Sequence, residues 1–156
     1  MGLLLGFSFA LTTNAAVHIN ELMVRNSSAV LSDELNFDGW VEIYNSGDEE
    51  VDLSNCYFSD TDDDHFLWKN QDETVLGPKQ YAVFFFDELN EYNHASFKLD
   101  CDGGVLILSD EKGNELDRMT YPKTFRNTSY GRTVDGGEVL GHLLRPLWAR
   151  VTLALW

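Results

Sequence analysis

The residues whose types could do chemistry are few and scattered. Asp60, Asp62, Asp63 and Asp64 crowd one short stretch, and a hard cation such as calcium takes several carboxylate oxygens. A helix–loop–helix calcium loop needs Gly at its sixth place, where this chain has His65, and helices on both sides. Asp60, Asp62 and Asp64 therefore stand as calcium candidates only in some other kind of loop. A solvated acidic segment that keeps a sheet edge from pairing is the commoner origin of such a run. Glu21 and Glu42 invite comparison with the two carboxylates of a glycosidase, yet each occupies an alternating strand position with no motif around it. A surface or hydrogen-bonded structural role is expected for both. His18, His65, His94 and His142 show no metal-ligand spacing, and no nucleophile elbow, phosphate loop or dinucleotide fingerprint occurs. The sequence thus predicts no enzyme, no catalytic or cofactor-binding residues, and no cofactor beyond the calcium candidates. Cys56 and Cys101 are the two cysteines. Either they pair as a disulfide or they are separate small hydrophobes.

The elements that would carry these residues read as strands. In residues 38–45, Val41 and Ile43 point to one side while Trp40, Glu42 and Tyr44 point to the other, a period-two pattern. Asn45–Asp48 stops that strand with turn chemistry. From Val17 the chain alternates, then places Leu22 beside Met23, where a bulge is expected. Arg25–Phe37 reads as a loop. Tyr81–Phe86 is a continuous apolar run of strand length, predicted to be buried on both faces. Val105–Leu108 is a second such run, Phe97 and Leu99 a short strand, and Glu88–His94 a loop or single helical turn. Asp110–Asn114 is a hairpin with Gly113 in the left-handed position. About eight short strands with turns between them, and no helical period of useful length, predict an all-β sandwich of two packed, mostly antiparallel sheets. Trp40, Trp68, Tyr81 and Phe84–Phe86 invite comparison with a sugar-binding face, but two apolar inner faces account for them.

The chain has 156 residues, with 11 Lys and Arg against 26 Asp and Glu and a net charge of −15. That field opposes phosphate backbones, so nucleic acid is not an expected partner. Residues 1–16 are uncharged, open on an apolar run and end in small residues, as an export signal does. The run is shorter than the roughly 20 residues a membrane span needs, so the mature chain is expected to be secreted or held at the cell surface with no transmembrane segment. Asn26-Ser-Ser28 and Asn127-Thr-Ser129 have the spacing of glycosylation sequons.

The order of Ile19-Asn-Glu-Leu22, Asp38-Gly-Trp-Val-Glu-Ile-Tyr-Asn45, Val51-Asp-Leu-Ser54 and Ser129-Tyr-Gly-Arg132 resembles the bacterial lamin-tail domain, including versions found beside CotH-type kinase regions. The resemblance implies an immunoglobulin-like sandwich over 17–138 and a non-catalytic module of a larger exported protein, binding protein or a cell-envelope polymer. The other reading is a calcium- or carbohydrate-binding module of a secreted hydrolase. Residues 139–156 depart from the pattern: from Leu140 onward they are rich in Leu and lack any acidic residue. Back-translated in a displaced frame, Leu143–Leu155 reads as the Pro-Thr-Pro ending common in such domains, so this tail is expected to be out of frame. Genomic DNA lacking the required codons would refute that expectation.

Overall fold

The computed structural model describes Val17–Leu144. The expected export signal and residues 145–156 lie outside the described residues. Within them the backbone forms strands and no helix, so no helix is long and apolar enough to cross a membrane. The strands are β1 (Val17–Met23), β2 (Gly39–Asn45), β3 (Val51–Asp52), β4 (Tyr57–Ser59), β5 (Trp68–Lys69) and β6 (Val75–Leu76). They continue as β7 (Tyr81–Phe86), β8 (His94–Ala95), β9 (Gly104–Ser109), β10 (Glu115–Tyr121), β11 (Ser129–Arg132) and β12 (Leu140–Leu143). One sheet has the order β12-β11-β1-β2-β7-β8, a second β10-β9-β4-β5, and β3 pairs with β6. All pairs are antiparallel except β7 with β8. This is the all-β sandwich that the alternation predicts, with the immunoglobulin-like architecture that the resemblance implies.

The alternation of β2 divides its side chains as expected. Val41 and Ile43 face the main core together with Ile19, Leu22, Phe58, Phe84 and Leu106. Trp40 lies on the opposite face in a second cluster with Met23 and Phe85, closed over by Val30 of the β1–β2 loop. Leu22 and Met23 are adjacent apolar residues because both faces of the sheet are covered there. The expected bulge is displaced accordingly: the register shifts between Ile19 and Glu21. At that point the Asn20 side chain donates to Glu42 Oε1 (2.8 Å) and Asp135 Oδ1 (2.9 Å).

Ser129–Arg132 supplies both a strand and a strut between the sheets. Arg132 Nε donates to the Ile19 carbonyl at 3.0 Å, and its Nη2 donates to Asp117 Oδ2 of β10 at 2.8 Å. Gly131 sits against Glu21, and a Cβ there would lie 2.4 Å from the Asn20 carbonyl oxygen and 2.7 Å from Glu21 Cα. Both obstacles are backbone, so β11 would have to leave β1. Gly131→Ala is expected to cost about 3 kcal/mol, read as a fall in melting temperature. A variant that melts with the parent would show that the strands separate freely.

Three sequence expectations are corrected. Phe97 and Leu99 form no strand; Leu99 is buried in irregular backbone, and the pairing residues are His94 and Ala95. The strands exceed eight because β3, β5, β6 and β8 have two residues each. The sandwich also extends past residue 138: Leu140–Leu143 pairs with β11 from Arg132↔Leu140 to Ser129↔Leu143, and Leu143 is buried.

Candidate functional site

The register Gly39↔Phe86 and Met23↔Trp40 brings the β1–β2 loop and the β7–β8 loop to one end of the six-stranded sheet. The long first loop is built on two side chains. Asn26 Oδ1 accepts from the amides of Ala29 and Val30, while its Nδ2 donates to the Asp38 carbonyl at 3.0 Å. Ser32 closes a turn with Asn36 (2.8 Å) and donates through Oγ to Asp38 Oδ2 at 2.9 Å.

His94 joins the two loops. Its ring is 2% exposed and stacks on Phe85 at 5.0 Å. Nδ1 lies 2.5 Å from Asp87 Oδ2, and Nε2 lies 2.7 Å from Asp33 Oδ1. Each nitrogen faces a carboxylate oxygen, an arrangement best served by an imidazolium donating on both sides. Burial works against that charge, but the bonds to Asp87 and Asp33 outweigh it and raise the imidazole above its ordinary range. The same bond holds the Asp33 carboxyl below its ordinary range.

Because the folded-state value is raised, this stabilisation is complete below the unfolded histidine range. It is lost as pH climbs through the folded value. His94→Gln should destabilise the domain by about 2 kcal/mol near pH 6 and speed amide exchange in residues 32–36. The gap from the parent should narrow toward pH 9. A gap independent of pH would mean that the clasp is not ionic.

The clasped loops present Leu31, Leu35, Phe37, Leu89 and Tyr92 to solvent, Leu35 at 77% and Tyr92 at 65%. Leu35, Glu88, Asn90 and Tyr92 all have left-handed φ values between 48° and 77°. Side chains rarely adopt that backbone without a surrounding structure that holds it. Beside them a pocket of about 190 Å³ opens between Val24, Phe37, Phe86 and Leu99, with Asp38 and Lys98 adding charge. Lys98 Nζ donates to Glu88 Oε2 at 2.6 Å, which ties the pocket to the β7–β8 loop. A cavity near 150 Å³ holds a benzene ring, so this one has room for an apolar side chain.

The residues picked out by the sequence lie elsewhere. Asp62 Oδ1 accepts from Arg118 Nη2 at 2.7 Å, Asp64 Oδ1 accepts from the Phe66 amide at 2.9 Å, and Asp60 is exposed. Among the described residues, the group whose ligand atoms lie within 4.8 Å of one another is Asp100, Cys101 and Asp102 instead, where Asp102 is held by Lys123 at 2.6 Å. Cys56 and Cys101 are both free thiols. Cys56 lies in the core, where burial, then Asp110 and Asp52, push its thiol up to about 11. Cys101 sits half-buried in a polar turn.

Trp40, Trp68, Phe84 and Phe86 are buried and offer no face to a sugar. Neither sequon amide is free: Asn26 Nδ2 is bonded within its loop, and Asn127 Nδ2 donates to Ser28 Oγ at 2.8 Å. Glu21 and Glu42 are not surface residues. They pair across β1 and β2, both at 0% exposure.

The lamin tail domain model matches residues 11–123, well over half of the chain. The chain belongs to the lamin tail domain family. Comparison with curated proteins returned no match. The match takes in the β2 motif and both clasped loops, and it stops before the Ser129–Arg132 strut. A lamin tail domain is an immunoglobulin-like module.

The clasp escaped the sequence reading because Asp33, Asp87 and His94 share no motif and converge only when β7 and β8 pair in parallel. The one signal on offer was an unusually long loop that keeps apolar residues among its polar ones.

Proposed function

We propose that this lamin tail domain is a non-catalytic interaction module, an accessory domain of a larger exported protein, working outside the cell or at its surface. It recognises a protein or a cell-envelope polymer through the loop end that His94 clasps. The observation that carries this reading is exposed Leu35 and Tyr92 on left-handed backbone, with exposed Phe37 beside them, in loops joined by a buried ionic bond. Apolar groups held rigidly in water lose little conformational entropy when a partner covers them. The apolar run and small residues of 1–16 support export.

A photo-crosslinking residue placed at Leu35, in the full-length protein in its own cell, should give a discrete adduct. The same group at Asp48, in the turn at the other end of β2, should not. Adducts from Asp48 alone, or from neither position, would overturn the reading.

A further inference from the structure

In a chain with so many carboxylates, most of the described cations sit against one. Lys79, Lys98, Arg118, Lys123 and Arg132 each lie within 4 Å of an Asp or Glu oxygen. Arg25 and Arg126, like Lys69 and Lys112, make no such pair among the described residues. Yet the two arginines come from loops far apart in sequence and line one open pocket of about 260 Å³ with Asn26 and Ser27.

Their meeting is built in. Asn127, at a left-handed φ of 54°, accepts at Oδ1 from the Ser27 amide (2.8 Å) and from Ser27 Oγ (3.1 Å). Its Nδ2 donates to Ser28 Oγ at 2.8 Å, and its backbone amide donates to the Arg25 carbonyl at 2.8 Å. Four hydrogen bonds, one of them to Arg25 and three to Ser27 and Ser28, therefore tie this stretch to the loop that carries Arg126. Lys123 and Asp102 are also within electrostatic reach of Arg25, and these two already hold one another at 2.6 Å. Two guanidinium forks that line one concavity, with no ion pair to a carboxylate among the described residues, repel each other, and an anion between them relieves that repulsion. Their planar donors match the oxygens of a carboxylate or phosphate.

We propose that Arg25 and Arg126, placed side by side by the Asn127–Ser27 contact, form an oxyanion pocket that takes one phosphate or carboxylate group of the partner. The surrounding charge of −15 sets the kind of ligand: a single anionic group on an otherwise neutral or cationic molecule, because a polyanion would meet repulsion on every side. The proposal rests on this end of the sandwich being its recognition face, since Arg25 directly continues the strand that leads into the clasped loop.

The test is amide and arginine Nε–H NMR of the full chain, titrated separately with inorganic phosphate and with acetate at constant ionic strength. Saturable shifts at Ser27, Arg25 and Arg126 are expected. Arg25→Gln with Arg126→Gln should weaken binding roughly tenfold or more without changing the melting temperature, as both side chains are exposed. Arg25→Lys with Arg126→Lys should recover only part of it. Saturation by phosphate alone assigns a phosphate-bearing partner, and saturation by acetate assigns a carboxylate-bearing one. No saturable shift with either anion, or shifts that survive the double Gln variant, overturns the pocket. An adduct at Leu35 with no anion binding would leave the interaction module standing and remove only the oxyanion pocket.

Discussion

Phe58→Ala is expected to lower the unfolding free energy by about 4 kcal/mol, a drop in melting temperature of roughly 15 °C. Phe58 comes from the four-stranded sheet and is fully buried. Its ring meets Phe84 at 4.9 Å and Phe86 at 5.8 Å from the six-stranded sheet, and Trp68 of its own sheet at 5.6 Å. Truncation removes the ring that keys one sheet to the other, and strands hydrogen-bonded to fixed neighbours have little room to collapse into the void. Phe66→Ala is the matched control: that ring is half exposed and touches Tyr57 edge-on, so its loss should cost well under half as much. Urea unfolding at pH 6 measures both. Equal losses would mean that the sheets are not joined at Phe58.

Glu42→Gln should make the domain more stable than the parent above pH 8. Burial is the main cause that raises the Glu42 carboxyl to about 7; its bond from Asn20 works the other way, and the nearby charges of Glu21 and Asp135 raise it further. The Glu42 Oε2 atom is buried without a hydrogen-bond partner, which suits a neutral acid better than a carboxylate. A folded-state value above the unfolded one of 4.5 gives a contribution that is complete below that unfolded value and is lost as pH rises through about 7. At roughly 1.4 kcal/mol per pH unit, the parent should lose up to about 3 kcal/mol relative to the variant between pH 5 and pH 9. His94 acts in the same direction, so the comparison with the variant, rather than the parent profile alone, isolates Glu42. Parallel stability profiles for the two proteins would refute the assignment. Gln at this position keeps an oxygen to accept from Asn20 Nδ2, so lost packing should not mask the gain.

Much of the fold was legible because a half-buried strand writes its environment into every second residue. Val41 and Ile43 against Trp40 and Glu42 announced two differently covered faces, and the unbroken Tyr81–Phe86 run announced a strand that supplies both. What alternation cannot report is a strand of two residues in a polar stretch, which is why β8 blurred into a loop. Nor does it distinguish an apolar residue on a ladder from one buried in irregular chain, as with Leu99.

The acidic run at Asp60–Asp64 looked like chemistry because charge density is visible along a sequence. Of its carboxylates, Asp62 accepts from Arg118 and Asp64 from the Phe66 amide. The sites that the fold does assemble draw single residues from distant loops, Asp33 with Asp87 and His94, and Arg25 with Arg126. No spacing rule connects them. Glu21 and Glu42 were noticed for the wrong reason: their pairing is real, but it is a sealed cross-strand contact, with no cleft opening onto it.

The place of β1 in its sheet has a kinetic consequence. The first strand is flanked by β2 on one side and by β11 on the other, with Glu21 opposite Gly131. A nascent chain can zip β1 to β2 early, but the far flank stays bare until Ser129–Arg132 has been synthesised. Closing so long a loop slows the search for the native topology. Refolding should therefore be slow for a chain of this size, and fragments ending before Ser129 should be soluble only with help.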